Sequence, residues 1–124
     1  MEEVIAHAEA QGLRVAWRDL GPRNGELARN GLVTLNPRRT EAVQRITLAH
    51  EVGHWWHGHD WTREHSVERD ERQADIYAAR LLVDEAAIRR AANVVGEHPA
   101  ALARELGVTA RLVTLWLEAR QVLA

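Results

Sequence analysis

The residues of this chain best suited to chemistry stand in Leu48-Ala49-His50-Glu51-Val52-Gly53-His54-Trp55-Trp56, a His-Glu-x-x-His pattern inside an apolar run. A helix turns about 100° per residue, so His50 and His54 lie only about 40° apart on one face and both imidazoles can reach one ion. Glu51 sits beside that face, placed to take a proton from an attacking water without serving as a ligand. Zn²⁺ held there would acidify a water and polarise a carbonyl oxygen, the two needs of peptide hydrolysis. The pattern alone is only moderately specific, because an ordinary helix can carry one surface histidine and one core histidine. A catalytic site also needs a third ligand and groups that orient the ligands.

Both are available in Glu71-Arg72-Gln73-Ala74-Asp75. Glu71 and Asp75 are one helical turn apart and share a face. Glu71 can complete a two-His, one-Glu site that leaves a fourth position to water. Asp75 can accept the second ring N–H of a ligand histidine and fix its tautomer, with His50 the expected partner. Ala74, Ala78 and Leu82 run close to the same stripe, and small alanines let this helix approach the first. Taken alone, two acids with Arg neighbours are a common solvated helix face. Paired with His-Glu-x-x-His they point to a metal centre.

The stretch His54-Trp55-Trp56-His57-Gly58-His59-Asp60 offers a rival third ligand. Asp60 has metzincin spacing, but that motif needs Gly where His57 stands and a downstream Met-turn, and Met1 is the only methionine. His57 and His59 are candidates for lining a cleft, whereas His65 reads as an exposed loop residue. Tyr77 lies about 240° around the helix from Glu71 and reads as core packing. Trp55 and Trp56 read as packing against a sheet.

The elements that must position these groups follow from periodicity and punctuation. Glu2 to Gln11 reads as a short helix stopped by Gly12, and Leu13 to Trp17 alternates as a strand. Glu26 to Arg29 and Leu32 to Leu35 flank Asn30-Gly31, a hairpin signal. Thr40 is the expected N-cap of the His50 helix, with Gly58 near its end. Glu68 to Val83, Glu85 to Val94, Pro99 to Leu106 and Thr109 to Leu123 read as further helices. A small antiparallel sheet packed on the His-Glu-x-x-His helix, with more helices behind it, makes the class α+β. At 124 residues, a single domain over 1–124 is expected.

Hydrophobic residues make up 46% of the chain, enough for a core, and the net charge of -2 announces no nucleic-acid or membrane face. Cysteine is absent, so any metal ligands must be His, Asp or Glu. No apolar run approaches the roughly 20 residues that span a bilayer, and the polar start is not a signal peptide. A cytoplasmic location is the expectation.

His50-Glu51-Val52-Gly53-His54, followed by Glu71-x-x-Ala74-Asp75-x-x-Ala78-Ala79-x-Leu81-Leu82, resembles the ImmA/IrrE family of regulatory metallopeptidases. The hairpin before the first motif and the terminal Leu-Gly-Val-Thr segment look like the same family, so the likeness spans nearly the whole chain. It implies a zincin-like fold, His50, His54 and Glu71 as zinc ligands, and Glu51 as general base. It also implies a protein substrate, a helix-turn-helix transcriptional repressor. Asp75 stands where Asn is frequent in the family, and Asp84 where Pro often occurs; Asp84 can serve as an N-cap.

Two other function classes compete. Leu102 to Trp116 also reads as a helix-turn-helix, which would make the chain a DNA-binding regulator. Its second helix offers only Arg111 and Arg120 against Glu118, and the pair is densely apolar, so a hairpin closing the core is the stronger reading. A zincin-like protein that binds without cutting is the other alternative, and the intact Glu51 argues against it. An extended substrate would lie beside Leu32 to Leu35, if that strand is a sheet edge.

Overall fold

The computed structural model describes residues 1–59 and 67–123, the side chains of 121–123 excepted. Asp60 and His65 lie outside the described residues. The order is α1 (Glu2–Ala10), β1 (Arg14–Trp17), β2 (Gly25–Leu27), β3 (Leu32–Leu35), α2 (Glu41–Trp56), α3 (Val67–Leu82), α4 (Glu85–Val95), α5 (Pro99–Leu106) and α6 (Ala110–Leu123). The class is α+β, with helices packed on a three-stranded sheet, consistent with a zincin-like arrangement.

The sheet corrects two expectations. β2 and β3 form the antiparallel hairpin, but β1 pairs with β3 in parallel, Arg14 opposite Leu32 and Trp17 opposite Leu35. The sheet is therefore mixed, in the order β1-β3-β2. Leu32–Leu35 is its central strand, so it has no free edge for a substrate. The cause lies in the crossing between β1 and β2. Asn36, fully buried at the end of β3, donates from Nδ2 to the carbonyls of Gly21 and Arg23 at 3.0 and 2.9 Å and anchors that crossing loop over the strand. The hairpin then returns β3 into the gap between the other two.

Val33 and Leu35 project from one face of β3 onto Leu48, Ala49 and Val52 of α2, all completely buried. These are alternate residues on the strand and i, i+4 neighbours on the helix, so the two periodicities meet face to face. Fully burying a Val or Leu side chain contributes about 1.5–3 kcal/mol. Thr40 starts α2 by accepting from the Val43 N–H at 3.3 Å, and Asp84 starts α4 by accepting from the Ala87 N–H at 2.7 Å. Leu102, Ala103, Val108, Leu112, Val113 and Leu115 of the terminal helical pair join the same hydrophobic cluster.

Trp55 donates from Nε1 to the Gln11 carbonyl at 2.9 Å and touches Gly31 at the hairpin turn. Trp56 does not pack on the sheet; it is 60% exposed, with its ring 6.0 Å from that of Tyr77. Tyr77 is half-buried at the rim of the core, its hydroxyl 2.6 Å from His7. No helix among the described residues is long and apolar enough to cross a membrane.

Candidate metal centre

α2 and α3 cross with their backbones in contact at Gly53 and Ala74. A Cβ at Gly53 would lie 2.8 Å from both Ala74 Cα and its carbonyl oxygen. Only glycine opposite a small residue allows this approach. It sets Glu71 and Asp75, three residues before and one after Ala74, opposite His54 and His50.

Three donor atoms converge there. His50 Nε2 is 2.8 Å from Glu71 Oε2, His54 Nε2 is 3.3 Å from Glu71 Oε1, and the two Nε2 atoms are 3.0 Å apart. Ligands of a tetrahedral zinc with bonds of about 2.0–2.1 Å stand about 3.3 Å from one another, so the spacing suits one ion. His50, Glu51 and His54 also offer ligand atoms that lie within 4.8 Å of one another. Of the two carboxylates, Glu71 is in direct contact with both ring nitrogens.

The tautomers follow from the partners. His50 Nδ1 lies 2.8 Å from Asp75 Oδ1, a carboxylate oxygen that can only accept, so Nδ1 carries a proton, and in the neutral form of the ring, the form that binds a metal, the Nε2 lone pair points inward. On the other side, His59 Nε2 faces Gln73 Oε1 at 2.9 Å and Asp70 Oδ1 at 3.4 Å, so it is the donor nitrogen. His59 Nδ1 is then an acceptor, and His54 Nδ1, 2.8 Å away, donates to it. His54 Nε2 is thereby left as a second lone pair aimed at the same point. Two lone pairs and a carboxylate facing one another fit a cation, and the donor set passes that test.

The end of α2 explains His59. Gly58 takes a left-handed φ of 66°, the Gly58 N–H bonds to the Trp55 carbonyl, and the His59 N–H bonds to the His54 carbonyl at 3.1 Å. This is a Schellman ending, which folds the residue after the glycine back onto the last turn. The two residues brought together are His59 and His54. His57 is exposed at the helix end, its ring stacked on His59 at 5.4 Å between centroids. A cleft of about 380 Å³ lies alongside, lined by Leu27, Ala28, Arg29, His54, Trp55, Gly58 and His59. His59 is thus on the cleft wall, and His57 is not among its lining residues.

Electrostatics separates the acids. Burial pushes the Glu51 carboxyl up to about 6. Burial alone would raise Asp75 as well, but hydrogen bonds from His50 and Arg111 outweigh it and hold Asp75 below 3.8. Burial would lower His50, yet the same bond to Asp75 and the charges of Asp75 and Glu71 raise it above 6.5. His54 is lowered by burial and, when the neighbouring His50 is protonated, by its charge.

Sequence reasoning placed His59 at the cleft but not against His54, and it missed Arg111. The Gly58 helix stop could have indicated His59, because a Schellman ending predicts which residues touch. No local signal indicated Arg111, whose Nε donates to Asp75 Oδ2 at 2.7 Å from α6.

No curated protein matches the chain. A model of the IrrE N-terminal-like domain, Peptidase_M78, matches residues 8–115, most of the 124. That span takes in β1 to α5, both motif helices and the start of α6, and the chain belongs to this metallopeptidase family.

Proposed function

We propose that the chain is a zinc-dependent endopeptidase in which His50, His54 and Glu71 hold the metal and Glu51 is the general base. The observation that carries this reading is the convergence of two inward Nε2 lone pairs with the Glu71 carboxylate. Zinc held there supplies Lewis acidity, polarising the scissile carbonyl and acidifying the attacking water. A Glu51 carboxyl near 6 is ionised at neutral pH yet basic enough to accept that water's proton. The water oxygen bonds to the carbonyl carbon, Glu51 passes the proton to the amide nitrogen, and the C–N bond breaks. Asp75 holds the His50 ring from behind.

The substrate backbone lies along β2, which replaces β3 as the candidate edge. Glu26 and Ala28 pair with Thr34 and Leu32, so the backbone groups of Gly25 and Leu27 point away from β3. Leu27 also lines the cleft beside His54, where an apolar side chain fits. Leu27→Pro should abolish cleavage while Leu27→Ala retains it; equal rates in both would remove the strand from substrate binding. The protein cleaved is a helix-turn-helix repressor and the protease a cytoplasmic regulator, readings supported by the family resemblance.

Metal analysis after equal zinc loading and desalting should find about one zinc per chain in the parent and much less in Glu71→Ala. Incubated with candidate repressors, Glu51→Gln should keep zinc and lose cleavage. Measurable hydrolysis by Glu51→Gln would remove Glu51 from its role, and a parent that retains no zinc would end the metallopeptidase reading.

A further inference from the structure

α6 is not an indifferent cover over the core. Its two cations, Arg111 and Arg120, would be the DNA contacts of a recognition helix. Both are used inside the fold: Arg120 pairs with Glu85 of α4 and lies over Trp116, and Arg111 reaches Asp75 on α3. Asp75 gives one oxygen to each neighbour, Oδ1 to His50 Nδ1 at 2.8 Å and Oδ2 to Arg111 Nε at 2.7 Å.

We propose that Arg111 is a positioning residue of the metal centre, which acts through Asp75 to fix the His50 ring. A carboxylate held by one donor can rotate about its terminal bond, and Asp75, with its side chain 19% exposed, is within reach of competing water. A second donor on the other oxygen fixes the plane of the group, and with it the line along which His50 Nδ1–H is held. The donor is a guanidinium, which carries its charge at every relevant pH. It comes from a helix 36 residues further along the chain, so the centre is complete only when α6 is docked. The metal centre and the terminal helical pair are therefore one cooperative unit. The proposal rests on the reading of His50 as a metal ligand.

The test is zinc affinity of the full chain by chelator competition at pH 8. Arg111→Met should weaken zinc by about tenfold, the scale expected for losing an outer partner of a ligand histidine. Arg111→Lys should recover part of the loss, because a lysine restores the charge without the planar fork. In an Asp75→Asn background, Arg111→Met should add nothing further. Glu118→Gln removes a different contact between α3 and α6, the 3.4 Å pair with Arg72, and should leave zinc affinity unchanged. Parent-like affinity in Arg111→Met, or an undiminished loss in the Asp75→Asn background, would overturn the proposal.

The ¹⁵N resonances of the His50 ring provide a readout that needs no metal. After chelation, on the basic side of the His50 titration, the neutral ring of the parent should be protonated at Nδ1 alone, and that of Arg111→Met should be a mixture of both tautomers. An unchanged tautomer would also overturn the proposal. If the parent itself binds no zinc, the metal reading fails, and the ring resonances still decide what Arg111 does.

Discussion

Asp19, in the loop after β1, accepts from the Gly21 N–H at 2.8 Å and from Arg38 at 3.2 Å, and its carboxyl is held below 3.8, chiefly by the Gly21 bond. Glu51, on α2, is driven the other way, up to about 6, chiefly by burial. The surroundings of the two acids differ in the same sense. In and beside the loop acceptors meet donors: Arg18 and Arg23 share the Glu26 carboxylate, and Arg39 bonds to Asn24, Gly21 and Pro22. Around Glu51, the inner atoms of His50, His54 and Glu71 are acceptors turned on one another. The first cluster is complete as a piece of protein architecture. The second is complementary to a cation, and its outer hydrogen bonds keep it so.

That contrast can be broken first at Gly53. A methyl group there would sit 2.8 Å from Ala74 backbone atoms and 3.0 Å from Tyr77 Cβ, none of which is a flexible chain end. Gly53→Ala should cost about 1–3 kcal/mol in urea unfolding, a typical overpacking penalty. It should also weaken zinc binding, because α3 carries Glu71 and Asp75 away with it. Parent-like stability and affinity would show that the close crossing is not what assembles the centre.

Next in size is the pH dependence of Glu51, measured with zinc chelated. Its folded value, raised from 4.5 to about 6, means that the folded state holds the proton more tightly than the unfolded chain. The favourable contribution is fully present below 4.5 and is lost as pH rises to about 6. The shift corresponds to about 2 kcal/mol. Relative to Glu51→Gln, the parent should lose roughly that amount of unfolding free energy across this window. A constant difference would mean that Glu51 is not desolvated.

Asn36→Ala probes the other cluster. It strands two carbonyls and the Arg38 N–H, which now donates to Asn36 Oδ1 at 3.0 Å. A loss of about 1–3 kcal/mol is expected. Zinc affinity should not change, and a parallel loss of zinc would join the two clusters into one. Asp19→Asn should have the smallest effect. Because the folded carboxyl is depressed, its contribution is present above 3.8 and disappears as pH falls through the folded value. The stability difference between parent and variant should therefore shrink as pH falls below 3.8, and an NMR titration of Asp19 centred at or above 3.8 would contradict this.

Much of the site was readable from spacing alone. His50, Glu51 and His54 on one helix, and Glu71 and Asp75 on the next, follow from helical periodicity, and the structure brings the two sets within hydrogen-bonding distance. Thr40, Asp84 and the hairpin around Asn30-Gly31 were equally legible, because caps and turns depend on residues close in sequence. Strand order was not. Whether β3 lies at the edge or in the centre depends on where the 18–24 loop crosses, and that is settled by the buried contacts of Asn36. The exposure of Trp56 was misread for a similar reason, since residue type does not say which helix face meets the sheet.

The sequence by itself determined the chemical types of the site, the helices that carry them and the α+β class, since each depends on composition or on repeats of two and about four residues. Only the tertiary structure decided that β1 runs parallel to β3, that His59 folds back onto His54, and that Arg111 reaches Asp75 from α6. These last features depend on contacts between residues far apart in the chain. Their partners are selected by the volume at Gly53 and Ala74 and by the need of each buried polar atom for a partner, and neither leaves a periodic trace in the sequence.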